Sequence, residues 1–234
     1  MAELRADGKR VLVTAGASGI GRAIVDVLIE AGARVHICDV DEAALAAFRE
    51  AKPSVSATVT DVADEDQVDL LFAEAEERLG GLDVLVNNAG IAGPTGPIEE
   101  ITAADWRRCI EVDLTSQFLC TRRAVPMLKA AGGGAIVNLS SAAGRLGYAF
   151  RTPYAAAKWG VIGLTQSLAK ELGPANITVN AVLPGVVQGP RIDRVIEARA
   201  QTLGIAHEEM ERRYLEGVSL RRMVTGHDVA HMVL

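Results

Sequence analysis

The chain has 234 residues, a formal net charge of −6, and 49% hydrophobic residues. That length suits one α/β domain with a sizeable core, and the apolar content excludes a disordered chain. The acidic balance argues against broad, salt-dependent nucleic-acid binding.

Residues 1–9 read as a polar leader, and residues 10–14 as a short apolar strand buried on both faces. Gly16, Gly19 and Gly21 follow and open a helical pattern that Gly32 stops, and residues 34–38 form a second strand. Strand, glycine turn, helix and strand within about thirty residues predict a dinucleotide site. Glycines let a backbone approach a pyrophosphate, and the helix N-terminus offers free N–H groups and a favourable dipole. Ser18 can add a hydroxyl. Asp39 ends the second strand, 18 residues after Gly21. A carboxylate there accepts hydrogen bonds from an adenosine ribose and repels a 2′-phosphate. No basic residue lies in the glycine turn, and Val40 follows Asp39, so NAD is expected over NADP.

Residues 41–51 read as a helix with Asp41 as N-cap, and residues 55–59 as a third strand. Asp61 and Val62 follow at the carboxyl end, where ligands bind in such sheets; Asp61 can accept from an adenine amino group or cap the next turn. Asp64 starts a helix with Gln67 as capping-box partner, ending near Gly80 and Gly81. Residues 82–86 are a fourth strand, followed at once by Asn87, Asn88, Ala89 and Gly90. Paired amides there can bridge backbone segments beside a cofactor or simply make a polar turn. Residues 91–101 are a loop. Thr102 and Asp105 then form a capping box for a long helix to about residue 130, which contains Asp113 and is expected to kink at Pro126. Residues 135–139 are a fifth strand, a helix follows to about residue 172, and residues 177–182 are a sixth strand closed by Pro184 and Gly185. Strands alternating with helices predict a doubly wound parallel sheet flanked by helices, in a single domain.

The stretch 154–158 carries the predicted chemistry. Alanines between Tyr154 and Lys158 favour a helix, where residues four apart share a face. A nearby ammonium stabilises a phenolate and lowers its pKa from about 10, so Tyr154 can exchange a proton with a substrate oxygen. Ser141 lies 13 residues upstream at the end of a strand and can hold the same oxygen.

Taken together, the stretch 14–21, Asp61 with Val62, the stretch 87–90, Ser141, Tyr154 with Lys158, and Pro184 with Gly185 resemble the short-chain dehydrogenase/reductase (SDR) family over almost the whole chain. The resemblance implies a single NAD(P)-binding Rossmann domain over 1–234, with a cofactor half at about 9–140 and a catalytic and substrate-covering part at about 141–234. It implies hydride transfer between a nicotinamide and a carbinol or carbonyl carbon. Tyr154 is then the acid/base, Lys158 binds the nicotinamide ribose, and Ser141 positions the substrate oxygen. The implied cofactor contacts are Gly16, Ser18, Gly19, Ile20, Gly21, Asp39, Asp61, Val62, Asn87, Ala89, Gly90, Tyr154, Lys158, Pro184, Gly185 and Val187. The family also implies a homotetramer or a dimer, paired through the long helix and the Tyr154 helix.

The sequence departs from the family at four places. Ala15 stands where the family has glycine, tolerable if φ there is negative. Asp113 stands where the family has an asparagine that holds a relay water; it can accept hydrogen bonds but has no amide donor. Gly189 replaces a common threonine, leaving backbone groups near Val187 to meet the nicotinamide amide. The sequence stops at Leu234, before an expected seventh strand.

Residues 186–220 are expected to cover the substrate. Most charges there read as a solvated helix face. Arg191, Arg145 and Arg151 lie near predicted active-site loops, and at least one is expected to contact an anionic or strongly polar substrate. Tyr148 can line the same pocket. The three cysteines Cys38, Cys109 and Cys120 read as reduced core or helix residues, and the four histidines are scattered, so no metal site is expected. Neither a signal peptide nor a run of roughly 18 apolar residues is apparent, so a cytoplasmic protein without a membrane partner is expected. The sequence thus reads as an NAD-dependent oxidoreductase acting on a secondary alcohol or ketone of a small polar substrate. The alternative is a catalytically idle NAD-binding sensor or interaction protein of the same fold.

Overall fold

The structure, a computed structural model, describes residues 4–234, so residues 1–3 of the polar leader lie outside it. Strands β1 (Arg10–Thr14), β2 (Arg34–Asp39), β3 (Ser56–Val59), β4 (Val84–Asn87), β5 (Gly134–Leu139) and β6 (Ile177–Val182) form one sheet in the order β3-β2-β1-β4-β5-β6. Every pairing is parallel. Helices α1 (Gly19–Glu30), α2 (Glu42–Ala51), α3 (Glu65–Leu79), α4 (Ala103–Ile110), α5 (Ser116–Ala130), α6 (Thr152–Leu172), α7 (Pro190–Leu203), α8 (His207–Glu216) and α9 (Gly226–His231) cover its faces.

Strand alternation explains the two layers. Val11 and Val13 of β1 point to the side holding Ile24 and Leu28 of α1, Phe48 of α2 and Val229 of α9. Leu12 between them points to the other side, with Leu71 of α3, Leu128 of α5 and Leu172 of α6. The order reverses between β1 and β4, and ligands of open α/β sheets bind at the carboxyl ends flanking such a reversal. The turns after β1, β2, β4, β5 and β6 all open at that edge.

Several local expectations are revised. Asp41 does cap α2, accepting from Ala44 N–H at 3.0 Å. Asp64 caps α3, but Gln67 does not reach the Asp64 backbone N–H; its Oε1 accepts from Asp61 N–H at 2.9 Å and its Nε2 donates to the Asp64 carboxylate. Thr102 accepts from Asp105 N–H, while the Asp105 carboxylate returns to the Thr102 hydroxyl rather than to its backbone. The long helix is interrupted by a π turn at Glu111–Thr115, whereas Pro126 lies inside regular α-helix. No helix among the described residues is long and apolar enough to cross a membrane.

Candidate functional site

The glycine turn leaves β1 through Ala15, whose φ is +50. The condition under which alanine replaces glycine without strain, a negative φ, is therefore not met. Alanine occupies a left-handed conformation that glycine adopts more cheaply. Asn88 holds the turn in place: its Nδ2 donates to the carbonyls of Thr14 and Ala15, each at 3.0 Å. Thr14 Oγ1 in turn accepts from the N–H groups of Asn88 and Ala89. At Gly21 a Cβ would lie 2.0 Å from the Ala15 carbonyl oxygen, so only glycine lets α1 start this close to the turn. Gly19 has φ +55 and open space where a side chain would be. Ser18 is the N-cap of α1 but makes no side-chain cap bond, and Ile20 follows in the first turn, whose N–H groups lack intrahelical acceptors.

Asp39 ends β2 beside this turn. One carboxylate oxygen accepts from Ala17 N–H and the other from Asp41 N–H, both at 3.2 Å. Gly16 donates to the Cys38 carbonyl, tying the same turn to β2. A close-packed glycine cradle, a helix N-terminus and a carboxylate at the next strand end fit a dinucleotide: the cradle for its pyrophosphate, Asp39 for its ribose.

Just beyond β3, Asp61 accepts from Ala63 N–H and pairs with Arg108 at 2.9 Å. It therefore caps its own turn, and Arg108 of α4 competes for its second oxygen. Val62 beside it is buried. The Asn87 amide turns inward, donating to Asn138 Oδ1 at 2.9 Å and to Thr121. Any contact from Asn87 to a cofactor must come from its backbone. Ala89 and Gly90 continue along the same edge, where a Cβ on Gly90 would lie 2.6 Å from Asp113 Oδ1.

Tyr154 and Lys158 sit one turn apart on α6. Lys158 is 3% exposed, and its Nζ donates to the Leu139 carbonyl at 3.1 Å and lies 5.7 Å from the Tyr154 ring centre. Asp113, in the π turn, is fully buried and approaches Lys158 Nζ at 4.0 Å. Its Oδ1 also accepts from Ile91 N–H at 2.7 Å, and its Oδ2 accepts from the Cys109 thiol. Burial, then the Asp113 charge, push that thiol up to about 12. Asp113 thus links the loop after β4 to Lys158 as an acceptor only. Ser141 follows β5; its Oγ accepts from Ala143 N–H at 3.2 Å. Its turn is pinned to α6 by Ser140, whose hydroxyl donates to the Lys158 carbonyl, and to Pro184, whose carbonyl accepts from Ala142 N–H.

Beyond Pro184 and Gly185, Val187 bridges to Val224, with Val186 O and Gln188 N taken by Val224. In a parallel bridge this leaves the N–H and C=O of Val187 itself directed away from Val224. Gly189 precedes α7. Arg191 of α7 donates to the carbonyls of Gly90 and Ile91 at 3.0 and 2.7 Å, with its guanidinium 5.9 Å from the Tyr154 ring centre. A cavity of about 480 Å³ lies between α7 and residues 90–95, lined by Gly90, Ala92, Arg191, Arg194 and Val195. Arg151 is buried, donates to the Ala92 carbonyl at 2.5 Å, and stacks on both Tyr148 and Tyr154. Tyr148 donates to the Tyr214 hydroxyl at 2.7 Å. Arg145 is exposed, so the sequence expectation gains no support there.

Cys109 is a free, buried helix residue as read, whereas sequence reading missed Arg108, Arg199 and Tyr214. Arg199 stacks on both Tyr148 and Tyr214 at 5.2 Å. Its one sequence signal was its spacing of two helical turns from Arg191. Tyr214 had none, because it depends on how α8 folds back on α7.

The sequence pattern of the family described as short chain dehydrogenase matches residues 9–200. The chain is 47% identical over 184 residues to a cis-4-hydroxycyclohexanecarboxylate dehydrogenase of Sinomonas cyclohexanicum, covering 77% of this chain and 74% of that protein. Among solved structures it resembles a variant of actinorhodin polyketide ketoreductase with NADPH, at 36% identity and a TM-score of 0.89, covering 98% of this chain and 90% of the other. It also resembles an NAD+-bound xylitol dehydrogenase, at 26% identity and a TM-score of 0.93, covering 97% and 91%.

Proposed function

This chain belongs to the short chain dehydrogenase family, and from that premise we propose that it moves a hydride between NAD(H) and a secondary alcohol or ketone of a small polar substrate, with Tyr154 as acid/base. At the coarser level it is an oxidoreductase of alcohols that takes a nicotinamide cofactor. When bound, the nicotinamide supplies or receives the hydride. The Tyr154 hydroxyl gives its proton to the substrate oxygen during reduction and takes one during oxidation. Ser141 Oγ holds that oxygen by a hydrogen bond. Lys158 Nζ lies 5.7 Å from the centre of the phenol ring and is a ribose donor in reach of the loop at Gly90.

The observation that carries this reading is the seat of Lys158. A nearly fully buried ammonium is tethered to Leu139, two residues before Ser141, and faces the Tyr154 ring. Burying that charge is costly unless it is compensated, and Asp113 compensates it. Asp39 supports NAD over NADP, because a 2′-phosphate would meet a carboxylate already held in place by two backbone donors. Exposed Phe118 on α5 and Trp159 on α6, each 49% accessible, support assembly into a homotetramer or dimer through those helices.

The test is turnover followed at the NADH absorbance on sugars, polyols, hydroxy acids and hydroxysulfonates, with NAD and NADP in parallel. Tyr154→Phe should bind NADH and lose turnover by about 10²–10⁴-fold, the usual contribution of a general acid/base. A Tyr154→Phe enzyme with undiminished turnover would remove the tyrosine from the mechanism.

A further inference from the structure

Around Tyr148 the chain gathers more positive charge than it neutralises. Arg151 is 3% exposed, yet among the described residues it forms no ion pair, and its hydrogen bonding is confined to one neutral carbonyl, that of Ala92. Its Nε is buried without a partner. Arg199 on α7 repeats the pattern: no ion pair among the described residues, and a buried Nε without a partner. No other arginine among the described residues has a buried nitrogen left in this state. Both guanidinium groups lie against the Tyr148 ring, at 5.4 and 5.2 Å from its centre. A structural arginine at this depth normally has a carboxylate, since an unpaired buried charge is costly. The chain instead spends backbone strain to set Arg151 here. Phe150 just before it has φ +63, a region that side chains other than glycine rarely enter, and such strain collects at functional sites.

We propose that the missing partner is a carboxylate of the substrate, making the substrate a small hydroxy acid or its oxo counterpart. Arg151 holds the carboxylate, and Arg199 adds a second positive charge beside the Tyr148 ring. The Tyr148 hydroxyl is already engaged with Tyr214, which holds the ring against the two cations. Arg151 is also 4.7 Å from the Tyr154 ring centre. A carboxylate on Arg151 therefore sits only a few bonds from an oxygen at the phenol, which limits the substrate to short or single-ring hydroxy acids. Planar guanidinium matches planar carboxylate through paired hydrogen bonds. This deepens the reading of Ser141 and Tyr154 as the reacting end of the site and rests on it.

The experiment compares kcat/KM for 3-hydroxybutyrate and 4-hydroxycyclohexanecarboxylate with kcat/KM for their methyl esters, in the wild type, Arg151→Gln and Arg199→Gln. The acid-to-ester ratio is taken within each protein, so it is unaffected by any loss of folded enzyme. The wild type should favour the acid by about 10–100-fold for at least one pair, the size of a charge-assisted hydrogen-bond pair. That ratio should collapse towards unity in Arg151→Gln and fall in Arg199→Gln. An ester used as well as its acid by the wild type, or a ratio that survives both substitutions, overturns the proposal and leaves the dehydrogenase reading standing. If neither acid nor ester is turned over with NAD or NADP, titration calorimetry with cyclohexanecarboxylate decides. Binding that Arg151→Gln abolishes keeps the carboxylate site and leaves the dehydrogenase reading to the wider substrate panel, whereas absent binding overturns the carboxylate site.

Discussion

Replacing Asp39 by asparagine keeps the side-chain size and removes one negative charge at the end of β2. An ionised carboxylate offers about four acceptor sites. Two are taken by Ala17 N–H and Asp41 N–H, leaving about two, one for each hydroxyl of a ribose diol. A 2′-phosphate in the same place meets like charge. At a separation near 4 Å this repulsion is about 1–4 kcal/mol per unit charge, depending on how far water screens the pair. The wild type should therefore favour NAD over NADP by about 5–1000-fold in kcat/KM. Asp39→Asn should lower that preference by about the same 5–1000-fold, mainly by improving the use of NADP. Asparagine has one acceptor oxygen, so one of the two backbone donors loses its partner and stability should drop by about 1 kcal/mol. Initial rates with each cofactor, taken on one preparation, cancel that loss. A preference unchanged within error in a folded Asp39→Asn protein would refute the role given to this carboxylate.

Gly21→Ala puts a methyl 2.0 Å from the Ala15 carbonyl, so urea unfolding should show a loss of at least about 1–3 kcal/mol, together with weaker NADH binding. Asp113→Leu strips the buried Lys158 of its compensating charge and Ile91 N–H of its acceptor; it should cost about 3–5 kcal/mol, clearly more than Asp113→Asn, which keeps an acceptor oxygen. Equal melting temperatures for these two variants would contradict that account. His36 is buried between Ser56 and Thr58, and burial lowers its pKa from 6.5 to about 4. The unfolded chain therefore takes up the proton first as pH falls. The stability this residue contributes is complete above pH 6.5 and is lost as pH falls through about 4. Between pH 7 and 5 the loss from this residue alone is about 2 kcal/mol. Denaturant titrations of His36→Asn should show a pH dependence shallower by that amount, and an identical slope in both proteins would refute it.

Local chemistry made much of this protein legible from its residues. Apolar runs such as residues 10–14 marked the strands, because a strand buried on both faces has no polar side, and their alternation with helices marked the parallel arrangement. The four-residue spacing of Tyr154 and Lys158 placed both on one face of α6, since helical periodicity is a short-range property. Asp39 was identified from its distance along the chain to the glycine turn, and Asp113 from the family resemblance, where it stands in place of an asparagine. What only the tertiary structure decided are contacts between elements far apart in the chain. Asn88 bracing the glycine turn, Arg108 claiming Asp61 and the buried bond from Asn87 to Asn138 all join separate strands, turns or helices. The positive φ at Ala15 accompanies that bracing and was not legible from the residue's identity. The pair of uncompensated arginines around Tyr148 exists because α7 and α8 fold back over the loop before α6, and no pattern within a single segment contains that geometry.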